Sequence, residues 1–247
     1  MAIDETTEST VTHRLVGNRL MLTGALLYLT EFAGIALSQA QHLPEQPAVD
    51  GLTLMRDYAG HADGLGFVMG WFGIVLLGRV LVLVALRVAL ARSGYRSAWM
   101  DLAVVAMAVG VTLEMASAAL ATAAGQLADA GQNSAAVAID RGAAYLADAI
   151  YAPAGLAVIL ASCCMYASRL FPRVLAILGM LGGAATLAAG LLSGPSFFDV
   201  QDALSMPVFV VWAWMLWAGV LMWLRTPKHS HRLARSEAPN HPATEGL

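Results

Sequence analysis

The chain has 247 residues, of which 58% are hydrophobic and only 13% charged. An ordinary soluble domain carries about 25% charged residues, so a chain this poor in charge, with a mean hydropathy of +0.66, excludes a conventional water-facing surface. A net charge of −3 also excludes a nucleic-acid binder built on a basic surface.

Residues 1–13 are polar and acidic and read as a disordered cytoplasmic N-terminus. From residue 14 to 227 the chain reads as one all-α domain, a polytopic membrane bundle of six transmembrane helices. Each run is long enough for the roughly 20 residues that cross a bilayer, and each is apolar all round rather than along one stripe. Span one, Leu20–Ala40, holds Tyr28, Glu31 and Gly34. Arg14, Arg19 and Ser38-Gln39-Ala40 give it a loose likeness to a signal peptide, but Glu31 and the length of the run argue for a retained helix. The loop from Gln41 to Gly66 contains Pro44 and Pro47. His61 and Asp63 within it are too few for a metal site.

Span two, Phe67–Ala89, carries Arg79, and span three, Met100–Ala121, carries Gly110, Glu114 and Ser117. The segment Gly125–Gly142 is Ala-rich and helix-compatible. Span four, Ala143–Ala167, has Asp148 near its outer end, Pro153 as an expected kink, and the adjacent Cys163 and Cys164 as small packing residues. Gly179, Gly182 and Gly183 in span five, Val174–Leu192, and Ala106 with Gly110 in span three offer small surfaces for close helix approach. Span six is Leu204–Leu224, and residues 228–247 read as a disordered cytoplasmic tail.

Lys and Arg placement fixes the expected orientation. One side holds Arg14, Arg19, Arg87, Arg92, Arg96, Arg169, Arg173, Arg225, Lys228, Arg232 and Arg235; the other holds only Arg56 and Arg141. The rich side is cytoplasmic, so both termini lie inside. With Ala, Gly and Val abundant and Lys228 the sole lysine, the composition is that of a GC-rich bacterial genome. The expected location is therefore the bacterial cytoplasmic (inner) membrane, with membrane lipids as partners. A protein partner or a second copy of the chain is a further expectation, and nucleic acid is not expected.

Ionisable groups at mid-bilayer cost roughly 2.5–3.5 kcal/mol each. Three are present. At 1.5 Å rise per residue, Glu31 and Arg79 fall within about 2 Å of their span midpoints, and Glu114 about 5 Å outward of its own. Spans one to three therefore carry one polar layer, with Arg79 in reach of both carboxylates. Charge balance predicts that one glutamate holds a proton at neutral pH. Tyr28 shares a face with Glu31, and Ser117 lies one turn from Glu114, so a small, partly polar cavity is expected between them. Asp148 is a secondary, outer-side group. The layer fits a small-molecule or proton-linked transporter or sensor. The same pattern fits a non-catalytic structural or regulatory protein, because a buried ion network can simply fix helix register.

No motif for catalysis or cofactor binding appears. None of the six His lies in a span, which argues against a bis-His haem, and neither a His-Glu-x-x-His motif nor a P-loop is present. Gly194-Pro195-Ser196 lacks the second Gly of a nucleophile elbow. No cofactor, metal or catalytic residue is expected, and an enzyme ranks last among the readings.

The run Ser168-Arg169-Leu170-Phe171-Pro172-Arg173-Val174-Leu175-Ala176-Ile177-Leu178-Gly179, and the stretch Arg19 to Tyr28 with Gly24, resemble segments of a family of bacterial six-span proteins, domain of unknown function 4386. The resemblance implies a six-span layout over most of the chain. It implies no activity and no catalytic residues.

Overall fold

The computed structural model describes residues 19–40, 60–192, 200, 203–204 and 208–225. The expected disordered ends, the loop prolines and the turn at Gly194 lie outside the described residues. Among the described residues the chain is an all-α bundle with no strand. We number the helices α1, Arg19–Leu37; α2, Ala62–Arg92; α3, Ala98–Asp129; α4, Asn133–Ala149; α5, Tyr151–Ser168; α6, Arg173–Leu191; and α7, Val208–Leu224. Five helical segments (α1, α2, α3, α4 with α5, and α6) are long and apolar enough to cross a membrane, and α7 is a shorter apolar helix of 17 residues. The chain has the architecture of a multi-pass membrane protein. Outward-facing Ile74, Leu77, Val105, Val109, Val174 and Leu181 are all at least half exposed or nearly so, as lipid-facing side chains are.

Two interruptions depart from unbroken spans, and both have local causes. α1 turns at Thr30, and the helix resumes as Glu31–Ala40. The Thr30 hydroxyl donates to the Leu27 carbonyl at 2.6 Å, competing with the backbone for that acceptor and bending the helix. The Trp71 indole N–H of α2 donates to the Thr30 carbonyl at 3.2 Å. The second break, at Ile150, separates α4 from α5. Pro153 has no N–H to offer the Ala149 carbonyl four residues back, and its ring crowds that carbonyl, so the helix breaks three residues before the proline. The Ala-rich piece before span four is helical, as expected, and Asp63 belongs to the first turn of α2 rather than to a loop.

Small residues set the packing. At the α1–α2 crossing, a Cβ on Gly78 would lie 2.5 Å from the Gly24 carbonyl oxygen and 2.9 Å from the Tyr28 nitrogen. Between α5 and α6, a Cβ on Gly155 would meet the Leu187 nitrogen at 2.3 Å and the Gly183 carbonyl at 2.6 Å, and Gly190 abuts Ala152 in the same way. Gly110 of α3 faces Ala154 of α5 at 3.5–3.6 Å, Gly182 of α6 faces Val210 and Val211 of α7, and Gly219 of α7 faces Leu22 of α1. Together with the α2–α3 contact, these pairs close the helices into a ring: α1, α2, α3, α5, α6, α7 and back to α1.

The alternation of direction is visible at the two ends. At one end Arg19 lies 5.7 Å from the Trp223 ring centroid and Arg225 lies 5.8 Å from that of Phe171. At the other end the Gly60 N–H donates to Asp129 at 2.7 Å. The first set brings together the start of α1, the end of α7 and the α5–α6 turn, all arginine-bearing.

Because backbone atoms leave no room at Gly155, Gly155→Ala is expected to cost about 1–3 kcal/mol through overpacking. Denaturation in detergent micelles checks this. Gly110→Ala, whose added methyl meets only ordinary contacts, is the control and is expected to stay near neutral.

Candidate functional site

The ring of helices leaves a cavity of about 350 Å³ to which every helix contributes. Its polar end is built from α1, α2 and α3. The Gly24–Gly78 contact draws α1 against α2 one residue before Arg79, so the guanidinium emerges under Tyr28 and beside Glu31. The turn at Thr30 places Glu31 at the start of the resumed helix. Glu114 arrives from α3, one turn before Ser117.

Arg79 is the hub. Its Nη2 donates to Glu114 Oε1 at 2.9 Å, a charge-assisted hydrogen bond, and its Nη1 makes a close ion contact with Glu114 Oε2 at 2.7 Å. Nη2 also lies 3.8 Å from Glu31 Oε2, a looser ion pair. The guanidinium carbon sits 4.5 Å from the centroid of the Tyr28 ring, a favourable cation–π distance. Arg79 is 8% exposed as a residue and Tyr28 3%, so both are withdrawn from the lipid-facing surface. The Glu31 and Glu114 side chains are 14% and 24% exposed, and both line the cavity.

The grip is incomplete. Arg79 Nε, Glu31 Oε2 and Glu114 Oε2 are buried without a hydrogen-bond partner among the described residues, and so is the Trp212 indole N–H, which lines the same cavity. Buried donors and acceptors are normally satisfied. Four unspent groups around one void mark a place where a polar ligand or water completes the bonding. The rest of the wall is mostly apolar, with Met107, Ile150, Val158 and Met215 among its residues. Tyr28, Phe32, Phe209 and Trp212 form an aromatic cluster at the α1–α7 seam, with Phe32 and Trp212 edge to face at 4.2 Å.

A second, smaller cavity of about 130 Å³ also meets the carboxylates. It is lined by Glu31, Glu114, Ser117, Met69, Phe72 and Leu76. Glu31 and Glu114 thus border both voids.

Of the residues singled out from sequence, Glu31, Arg79, Glu114 and Tyr28 come together as one cluster. Ser117 borders the smaller void, but its hydroxyl donates to the Ala143 carbonyl of α4 at 2.8 Å and so ties α4 to α3. Ser117→Ala is expected to destabilise by about 1 kcal/mol, the usual worth of one buried hydrogen bond, and to leave ligand recognition unchanged; chemical denaturation measures it. Asp148 is half-buried in the last turn of α4, next to the Ile150 break. It is not among the residues that line either void, although its neighbours Ala147 and Ile150 are. Cys163 and Cys164 are free thiols, one exposed and one buried, and no group of three or more metal-ligating side chains occurs among the described residues.

Sequence reasoning missed Trp212, Phe209 and Thr186, which complete the cavity from α6 and α7. Their only signal was an aromatic or a hydroxyl inside an apolar run, which core packing explains equally well.

Comparison with protein-family models, with curated proteins and with solved structures gives no match to this chain.

Proposed function

We propose that the chain is a proton-linked small-molecule transporter or sensor of the bacterial cytoplasmic membrane. Six spans place both termini inside, and Glu31, Arg79 and Glu114 form the working layer. The observation that carries the reading is that both carboxylates border two cavities, one of about 350 Å³ and one of about 130 Å³. One guanidinium cannot neutralise two carboxylates. In a low-dielectric interior an uncompensated charge is costly, so electroneutrality calls for one proton in the layer when the cavity is empty. A ligand that bonds Arg79 or a glutamate alters that balance and couples its own binding to proton release or uptake.

Two features support the reading. Ionisable residues within spans that face a cavity rather than lipid mark ligand or proton pathways. The turn at Thr30, immediately before Glu31, interrupts a span at the depth of the site, as in transporters that bind substrate between broken helices. The mostly apolar wall with a few convergent polar groups suits a small amphipathic solute. The resemblance to domain of unknown function 4386 is part of the same proposal and assigns no chemistry of its own.

The test uses proteoliposomes loaded with a pH-sensitive dye and challenged with a panel of small amphipathic acids, amines and neutral solutes. The expected result is a solute-dependent pH change that disappears in Glu114→Gln. The reading fails if no solute in the panel elicits a response from correctly folded protein, or if the response persists unchanged in folded Glu114→Gln and Glu31→Gln proteins.

A further inference from the structure

The charged side chains on the wall of the larger cavity all belong to the ion layer: Glu31 from α1, Arg79 from α2 and Glu114 from α3. The other titratable groups on that wall are the phenols of Tyr28 on α1 and Tyr151 on α5. Among the described residues, α4, α6 and α7 bring none to it. The smaller cavity adds no further charge. With both glutamates ionised, the layer therefore carries one negative charge in excess. Arg79 already contacts both carboxylates and has no second charge to give.

The bonding left open around the void is of two kinds. Glu31 Oε2 lies 3.8 Å from the guanidinium, beyond hydrogen-bond distance, and neither it nor Glu114 Oε2 accepts a hydrogen bond. Arg79 Nε and the Trp212 indole nitrogen are donors without an acceptor, on residues that are each only 8% exposed. Around these groups the wall is apolar and aromatic: Met107, Val158 and Met215 are buried, and Tyr28, Phe209 and Trp212 supply rings. Arg79 already sits over the Tyr28 ring, whereas an indole is the best of the aromatic partners for a cation. An anion in this void would add to the negative excess. A neutral solute would leave the proton where it is. A cation with an apolar body satisfies both the charge and the wall.

We infer that the cavity takes a monocationic amphipathic amine, whose ammonium replaces the proton of the layer. This rests on the reading of the layer as the working part of a proton-linked protein, and it names the substrate class. The empty layer holds one guanidinium, one carboxylate and one carboxylic acid. The occupied layer holds one guanidinium, two carboxylates and one ammonium. Both sum to zero. On binding, the O–H bond of the glutamic acid breaks, its electron pair stays on the carboxylate, and one proton passes to water for each amine bound. The ammonium N–H groups donate to Glu31 Oε2 and Glu114 Oε2, and the body of the amine packs against the methionines and Trp212. A ligand hydroxyl or a water serves Arg79 Nε and the Trp212 N–H.

The experiment uses the full chain purified in an uncharged detergent and three probes that share one aromatic body: phenethylamine, phenethyl alcohol and hydrocinnamate. Titration calorimetry in buffers of different ionisation enthalpy measures affinity and the number of protons released. Phenethylamine is expected to bind most tightly and to release one proton. Its ammonium, like that of lysine, stays charged over about pH 6–8. Its affinity is therefore expected to rise about tenfold per pH unit across that range while the layer holds its proton. Glu31→Gln and Glu114→Gln are each expected to abolish the proton release and flatten the pH dependence. They are made separately, so misfolding of one leaves the other to answer. Absence of phenethylamine binding to the wild-type chain overturns the inference, as does binding without proton release or tighter binding of hydrocinnamate. A Glu114-dependent response of proteoliposomes to the acid or the alcohol, with none to the amine, also overturns it and leaves the transporter reading intact. Amine binding with proton release but no flux supports the site and removes transport.

Discussion

Arg79→Ala is expected to destabilise the bundle by about 3–5 kcal/mol, the range for removing one partner of a buried charge pair. The reason is the imbalance it leaves. Glu114 loses a hydrogen bond at 2.9 Å and an ion contact at 2.7 Å, Glu31 loses its ion pair at 3.8 Å, and the Tyr28 ring loses the cation over its face. Two carboxylates then share a water-poor interior without a counter-charge. The comparison that isolates this cause is Arg79→Ala combined with Glu114→Gln. Removing the strongest orphaned charge is expected to restore a large part of the lost stability, although the double variant makes fewer contacts than either single one. Equilibrium unfolding in mixed micelles measures all three. If the two losses simply add, the electrostatic explanation is wrong and Arg79 acts through packing.

Gly78→Val is expected to reach or exceed the upper end of the ~1–3 kcal/mol overpacking range, because the first added carbon collides with backbone. The Gly24 oxygen at 2.5 Å and the Tyr28 nitrogen at 2.9 Å cannot rotate aside as a flexible side chain does. α1 must move away from α2 as a unit, carrying Tyr28 and Glu31 off Arg79. Unlike Gly155→Ala, which is also destabilising, this change is expected to weaken solute-dependent proton movement in the protein that remains folded. Measuring stability and flux on the same preparations separates the two. Equal loss of flux in both variants would show that the α1–α2 crossing has no special bearing on the site.

Hydropathy makes the hydrocarbon-crossing part of this fold legible, and little else. The run from Phe67 to Ala89 falls inside α2, but the helix begins at Ala62 and ends at Arg92. α3 likewise runs eight residues past Ala121, to Asp129. The start of α2 and the end of α3 meet α4 there, where Leu65, Val68, Ala128 and Ala136 form a small core of their own. An apolar-run criterion is blind there, because Asp63, Gln126 and Asp129 interrupt the apolar pattern. Pro153 signalled a disturbance in span four but not its position, since the proline acts on the carbonyl four residues earlier. Thr30 carried no warning, because a threonine in a span bends the backbone only when its hydroxyl takes a carbonyl.

The ion layer was readable because charge at mid-bilayer is rare and must be paired. Depth alone put Glu31, Arg79 and Glu114 at one level, and neighbouring spans did the rest. What depth does not reveal is the division of labour: a tight Arg79–Glu114 pair, a looser Arg79–Glu31 pair, and Ser117 turned towards α4. Nor could it reveal that α7 returns beside α1, bringing Trp212 and Phe209 to the cavity. That closure depends on Gly219 meeting Leu22, a contact between the two ends of the chain that no local pattern encodes.

The central claim is that the layer of one arginine and two glutamates holds a proton when the cavity is empty. Infrared spectroscopy of the purified protein at neutral pH, with glutamate carboxyls isotopically labelled, tests it most directly. The account predicts a carbonyl stretch of an undissociated glutamic acid that shifts with the label and vanishes in Glu31→Gln or in Glu114→Gln. A spectrum showing only ionised glutamates, or a band that survives both substitutions, would contradict it.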